Sequence, residues 1–108
     1  MPYDPNLADR MRAALTGRQD IVEKKMFGGY CWMLNGNMLC GVEVGRFMFR
    51  VGKEREAQAL ARAGASPMDI TGKPMPGFLW VDARQAEGKE LDRWIALAEE
   101  FVGELRPK

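Results

Sequence analysis

Apolar residues recur at helical spacing in three separate stretches of this chain. Asp4 and Pro5 open the first stretch as an N-cap and a first-turn proline, and the apolar spacing then continues until Gly17. Good helix formers with a narrow apolar stripe fill residues 53–63. Apolar residues at i, i+3, i+4 and i+7 continue over residues 91–105. The pattern therefore predicts three helices, of which the last is the longest.

Between the first two helices the spacing changes to that of β-strands. Residues 23–51 form apolar and aromatic runs interrupted by Gly28-Gly29, Asn35-Gly36 and Gly45, which is typical of an antiparallel meander of three or four strands. A further strand is predicted over residues 77–81, and the prolines and glycines of residues 68–76 predict a loop before it. The order of elements indicates the α+β class, with an antiparallel sheet and helices mainly on one face.

Asn35-Gly36 predicts the register of one hairpin, because a two-residue type I′ turn needs positive φ at both central positions. The opposed pairs would then be Leu34 with Asn37, Met33 with Met38, Trp32 with Leu39, and Cys31 with Cys40. One face would carry Cys31, Met33, Met38 and Cys40, and the other Tyr30, Trp32 and Leu39. Both faces are apolar, so we expect a helix, a loop or a second subunit to cover the second face; the alternative is partial exposure of scattered apolar residues.

Composition and charge exclude several classes of function. The chain has 16 Lys and Arg residues against 15 Asp and Glu, so it lacks the positive excess typical of proteins that bind duplex DNA or an anionic membrane. It has no histidine, which removes the catalytic mechanisms and metal sites that use imidazole. We expect one soluble domain over residues 1–108, without a catalytic residue, a cofactor or a metal.

The sequence also bears on the compartment. No apolar stretch approaches the ~20 residues needed to span a bilayer, and residues 1–12 are too polar for a signal peptide, so we expect a cytoplasmic protein. Two hypotheses concern its two cysteines. Cys31 and Cys40, if directly opposed, would form a redox pair through a strained cross-strand disulfide. The alternative is two reduced thiols in the core, as is usual in the cytosol.

Three segments are similar to motifs of one protein family. They are Met26-Phe27-Gly28-Gly29, Arg50-Val51-Gly52, and the run PMDITGKPMPGF from Pro67 to Phe78. Together with Asn35-Gly36 they make the chain resemble the N-terminal domain of the TfoX/Sxy family over nearly its whole length. The resemblance implies a two-layer α/β sandwich with the element order α-β(3)-α-β(2)-α.

The resemblance also implies a non-enzymatic regulatory role. Full-length members that regulate natural competence act as transcriptional co-regulators with the cyclic-AMP receptor protein, and they carry a second, helical domain. This chain ends at Lys108, so we expect that second domain to be absent here. By resemblance, the partner would be a protein such as a transcription factor, or a second copy of the chain that covers the apolar sheet face.

The same motifs single out candidate binding residues. By resemblance they are Met26, Phe27, Gly28, Gly29, Arg50, Gly72, Lys73, Pro74, Met75 and Gly77. Arg50 would direct its guanidinium toward the loop from Gly72 to Gly77, and the alternative is that it only pins this loop through carbonyl groups. The second hypothesis for function is a small-ligand binder, most naturally for an anion, or a minor enzyme, with a pocket between Arg50, this loop and residues 26–29. Binding of single-stranded nucleic acid by Tyr30 and Trp32 ranks lowest.

Overall fold

The computed structural model describes residues 5–17, 20–26, 29–70 and 73–106. In this part of the chain the helices are α1 (Pro5–Ala14), α2 (Lys53–Leu60) and α3 (Lys89–Val102), with one 3-10 turn over Ala83–Gln85. The strands are β1 (Ile21–Met26), β2 (Gly29–Leu34), β3 (Asn37–Val42), β4 (Arg46–Arg50), β5 (Ala65–Ile70) and β6 (Lys73–Asp82). The predicted α+β class and the three predicted helices are confirmed.

The six strands form one antiparallel sheet. Its order is β1-β2-β3-β4-β6-β5, so β1 and β5 are the two edges. Four strands precede α2, one more than in the order implied by the resemblance. No helix within the described ranges is both long and apolar enough to cross a membrane.

The three helices pack on one face of the sheet. Met11 of α1, Ala59 of α2 and Trp94 of α3 are each at most 1% exposed, and they share one core with Phe47 and Phe49 of β4. The Trp94 ring stacks on the Phe49 ring with 5.6 Å between their centroids. Burial of these large side chains holds the helices against the sheet, which gives the expected two layers.

The β2–β3 hairpin turns at Asn35 and Gly36, as predicted. Their φ angles are 51° and 85°, so both central positions have the positive φ that a type I′ turn requires. The two pairs beside the turn are also those predicted, Leu34 with Asn37 and Met33 with Met38. The turn chemistry was therefore sufficient to fix the local register.

A β-bulge beyond these pairs changes the rest of the hairpin. Cys31 pairs with Gly41, and Cys40 pairs with Trp32. The predicted opposition of Cys31 and Cys40 is therefore wrong, because an extra residue in β3 shifts every later side chain by one position. Cys40 belongs to the core beneath the helices, whereas Cys31 belongs to a cluster on the other face of the sheet. Both are free thiols.

The sheet face away from the helices, here called the open face, carries a second apolar cluster. Its buried members are Cys31, Met48, Met68 and Trp80, and Met38, Met75 and Phe78 pack around them. Met68 and Met75 come from the β5–β6 hairpin, and the Arg46 guanidinium lies 3.8 Å from the centroid of the Trp80 ring. The prediction that both faces are apolar is confirmed. The chain's own side chains close the centre of the open face, so covering it does not require a second subunit.

The prediction of a loop over residues 68–76 is wrong, because strands β5 and β6 occupy most of that segment. β6 pairs with β4 only from Phe78 to Asp82, so residues 73–77 extend beyond β4. Pro74 and Pro76 lie in this extension, where a missing N–H costs no hydrogen bond to β4. Pro67 lies on the edge strand β5, where proline is also tolerated.

Candidate functional site

A cavity of about 430 Å³ lies at one end of the sheet, where β4, β6, α2 and α3 meet. We call it the Arg50 cavity. The side chains that give it its chemical character are Arg50, Lys53, Arg55, Phe78, Phe101 and Glu104. They come from the β4–α2 junction, from β6, and from α3 and the turn after it, so the fold, and not one local motif, brings these three segments together.

Gly52 and Gly77 allow the ends of β4 and β6 to meet closely at this cavity. Their φ angles are 86° and 87°, and the N–H groups of Val51 and Gly52 both donate to the Gly77 carbonyl, at 2.8 and 3.1 Å. A Cβ on Gly77 would lie 3.2 Å from the Gly52 Cα, and a Cβ on Gly52 would overlap the Phe101 ring. Both positions therefore require glycine.

Glu56 connects helix α2 to Gly77 through a hydrogen bond. Its Oε1 accepts a hydrogen bond of 2.8 Å from the Gly77 N–H. Because α2 begins directly after Gly52, this bond ties the start of the helix to β6. The side of the cavity formed by residues 50–56 is thereby held in one position.

Arg50 carries a positive charge that the described part of the chain does not neutralise. Its guanidinium carbon lies 5.3 Å from the centroid of the Phe78 ring and 5.6 Å from that of Phe101. No hydrogen bond or ion pair joins Arg50 to a residue that the structure describes. Burial lowers the pKa of the Arg50 guanidinium below its usual value, yet arginine stays charged at neutral pH.

The other charged groups of the cavity are arranged differently. Arg55 lies near two carboxylates, with Nη2 3.7 Å from Glu104 and Nε 3.9 Å from Glu100. Lys53 and Glu54 are exposed at the rim. Arg55 is thus already compensated within the chain, and Arg50 is the cation best placed to receive an external anion.

Comparison with known proteins identifies the family. The family model of the TfoX N-terminal domain matches residues 13–102. The chain belongs to the TfoX N-terminal domain family. No curated protein and no solved structure gave a match. Except for Glu104, every residue that lines the Arg50 cavity lies within the segment that matches the TfoX model.

The motifs that suggested the TfoX family lie in two separate places. Arg50 and Gly77 line the cavity, as the resemblance implied. Met26 and Gly29 pair with each other where β1 meets β2, near the end of the sheet opposite Arg50. The predicted pocket is therefore wrong in including Met26 and Gly29, because β3 and most of the length of β4 separate even the nearer of the two, Gly29, from Arg50.

The remaining candidates from the TfoX motifs are placed as follows. Met75 packs in the cluster on the open face, outside the cavity. The backbones of Lys73 and Pro74 belong to β6. Phe27, Gly28 and Gly72 lie outside the described residues. Arg50 packs over the ring of Phe78, which follows the predicted loop directly, and it lines the same cavity as Gly77.

Neither cysteine resembles a reactive thiol in this TfoX domain. Burial raises the pKa of the Cys31 thiol, and burial together with nearby Cys31 and Glu99 raises that of Cys40. Because the thiolate is the reactive form, raised pKa values disfavour oxidation. Their placement on opposite faces of the sheet removes the geometric basis of the redox pair.

Trp32 cannot serve as a stacking platform for a base. Its side chain is 3% exposed and belongs to the core beneath the helices, and Tyr30 packs partly buried against the same core. Stacking on nucleic acid needs an accessible ring face. Binding of single-stranded nucleic acid, the lowest-ranked hypothesis, therefore loses Trp32, one of the two rings that it requires.

Sequence reasoning missed five cavity residues that lie outside the family motifs, namely Lys53, Glu54, Arg55, Phe101 and Glu104. Phe101 lies on the apolar stripe of α3 and was expected only in the core. Lys53 and Arg55 looked like ordinary solvent-exposed charges of α2. A usable signal was the spacing of Arg50 and Lys53 on either side of Gly52. β4 ends at Arg50 and α2 begins at Lys53, so both cations lie at the junction of the strand and the helix.

Proposed function

We propose that this TfoX N-terminal domain is a non-enzymatic regulatory or adaptor domain that acts through protein contacts. The Arg50 cavity is the point at which it binds an acidic group of its partner. The observation that carries this proposal is the charged Arg50 guanidinium, which lines a cavity and forms no ion pair with a described residue. By analogy with the co-regulators of the family, the partner is a transcription factor in the cytoplasm.

Two features support recognition of a protein through this cavity. Lys53, Glu54 and Pro76 are exposed, so the rim is accessible from the surface. Arg50 lies partly buried behind it, which gives a pairing partner a site with less screening by water and salt. An interaction of this kind fixes the position of one acidic group, and the near-neutral chain has no need of a broad basic surface.

Photo-cross-linking in cytosol of the native cell tests this proposal. p-Benzoylphenylalanine takes the place of exposed Ala57, one helical turn after Lys53 on α2, so no residue of the cavity lining is replaced. We expect a discrete cross-linked protein that is lost when the same chain carries Arg50→Gln. The matched control is the photoreactive residue at Arg84, which is 88% exposed and lies near the opposite end of β4. Cross-links at position 57 that persist in Arg50→Gln, or that equal those from position 84, would contradict the proposal.

A small anionic ligand is the second candidate function. The observation in its favour is the cavity volume of about 430 Å³, lined in part by Phe78 and Phe101, which is within the range of small-molecule sites and more than contact with a flat surface requires. In this case the domain binds a metabolite, and a protein partner recognises the ligand-bound form of the domain.

A further inference from the structure

We infer that the Arg50 cavity selects a single carboxylate joined to an apolar group. Arg50 binds the carboxylate, and the rings of Phe78 and Phe101 pack against the apolar group. This inference rests on the proposed function and names its ligand. The same chemistry is offered by the C-terminal carboxylate of a protein that ends in an apolar residue and by a free organic acid, and the experiment below separates the two sources.

The charges around the cavity fit a monoanion. Arg50, Lys53 and Arg55 face Glu54 and Glu104, which leaves an excess of one positive charge. Arg55 lies near Glu104 and Glu100, and when the Arg55–Glu104 pair is set aside, Arg50 and Lys53 against Glu54 still leave one positive charge. A second negative charge on the ligand would therefore meet Glu54 and Glu104 without a cation to balance it. A carboxylate suits the cavity better than a doubly charged phosphate.

The surroundings of Arg50 favour a planar acid group. The guanidinium carbon lies over the rings of Phe78 and Phe101, at 5.3 and 5.6 Å from their centroids. Its N–H groups point outward in the plane of the guanidinium and form a fork that matches the two oxygens of one carboxylate. None of these donors is used by a residue that the structure describes.

The apolar part of the ligand has its own contact surface. Phe78 and Phe101 line the cavity beside Arg50, and both rings are partly exposed. Gly52 is what lets Phe101 lie there, because any Cβ at position 52 would overlap the ring. An aromatic or branched aliphatic group placed between these side chains would lose apolar surface to water, which adds affinity that a bare inorganic anion cannot gain.

Isothermal titration calorimetry on the full chain tests the ligand class. The probes are phenylacetate, the neutral phenylacetamide, inorganic phosphate, and a short peptide ending in Phe with a free or an amidated C-terminus. We expect saturable binding of phenylacetate. The affinities for phenylacetamide and phosphate should be lower by about tenfold or more. Preference for the free-terminus peptide over phenylacetate would identify a protein terminus as the source, and the reverse preference a free acid; both support the inference.

Variants assign the effect to Arg50. Arg50→Gln and Arg50→Lys are each expected to lower phenylacetate affinity about tenfold or more, the latter because a lysine keeps the charge but not the fork. Arg84→Gln is the surface control and should leave affinity unchanged. A thermal melt shows that each variant is folded. Phosphate binding as tight as phenylacetate, no binding of any carboxylate, or unchanged affinity in Arg50→Gln would overturn the inference.

The two proposals fail in different ways. If the cross-link at position 57 is observed and depends on Arg50, while no carboxylate probe binds, the ligand class is wrong and the adaptor function stands. If phenylacetate binds through Arg50 while the cross-link is absent, the ligand class stands and the direct protein contact is wrong.

Discussion

Replacing Gly52 with alanine is expected to destabilise the protein by about 3 kcal/mol or more. Gly52 has φ 86° and ψ 154°, a backbone region that is almost restricted to glycine and costs other residues about 1–3 kcal/mol. The added Cβ would also overlap the Phe101 ring, which must then move out of the cavity. Equilibrium urea denaturation of Gly52→Ala against the parent chain measures the difference in the free energy of unfolding.

Gly45 provides the matched control for Gly52. It also has a positive φ, 75°, but nothing lies within 4 Å of a Cβ built there. Gly45→Ala is therefore expected to show only the conformational cost, about 1–2 kcal/mol. If Gly52→Ala costs no more than Gly45→Ala, the close packing of Phe101 against Gly52 is not as described.

The second large effect is expected at Trp94. This side chain is 1% exposed, stacks on Phe49 at 5.6 Å, and has the Arg62 guanidinium 4.5 Å from its ring centroid. Trp94→Ala leaves a large space between α3 and the sheet, and comparable core truncations cost about 3–5 kcal/mol. For a chain of this size we expect the thermal midpoint to fall by roughly 15–30 °C.

Trp94→Phe separates packing from mere presence of an aromatic ring. It keeps the stacking on Phe49 and loses only part of the buried area, so its effect should be about half that of the alanine variant or less. Calorimetric melts of both variants provide the comparison. A loss of less than about 1 kcal/mol for Trp94→Ala would contradict the assignment of α3 as the helix that closes the core.

The sequence patterns predicted the elements whose signals are local. The apolar stripe of α3 and the positive φ at Asn35-Gly36 each depend on a few neighbouring residues, and both are confirmed. The hairpin register beyond the turn was wrong because a bulge in β3 is decided by packing on both sheet faces. The second half of β6 was predicted, but β5 and the first half of β6 were missed because their prolines indicated a loop; Pro67 lies on an edge strand, and Pro74 and Pro76 lie beyond the end of β4.

The candidate site was predictable only in part, for a similar reason. Arg50 and Gly77 could be named from the family resemblance, because they lie in its motifs. Phe101 and Arg55 could not, since their role depends on how α2 and α3 meet the ends of β4 and β6. Met26 and Gly29 were assigned to the same pocket from the family resemblance alone, and the sheet order separates these two residues from Arg50.

The most direct test of the Arg50 cavity as a binding site is an amide chemical-shift map. A uniformly ¹⁵N-labelled chain is titrated with phenylacetate, and shifts are followed for every assigned amide. We predict that the largest saturable shifts fall on Val51, Gly52, Gly77 and Phe78, and that Arg50→Gln abolishes them. Largest shifts on the open face, at Met38 or Met48, or shifts that do not saturate, would contradict the central claim.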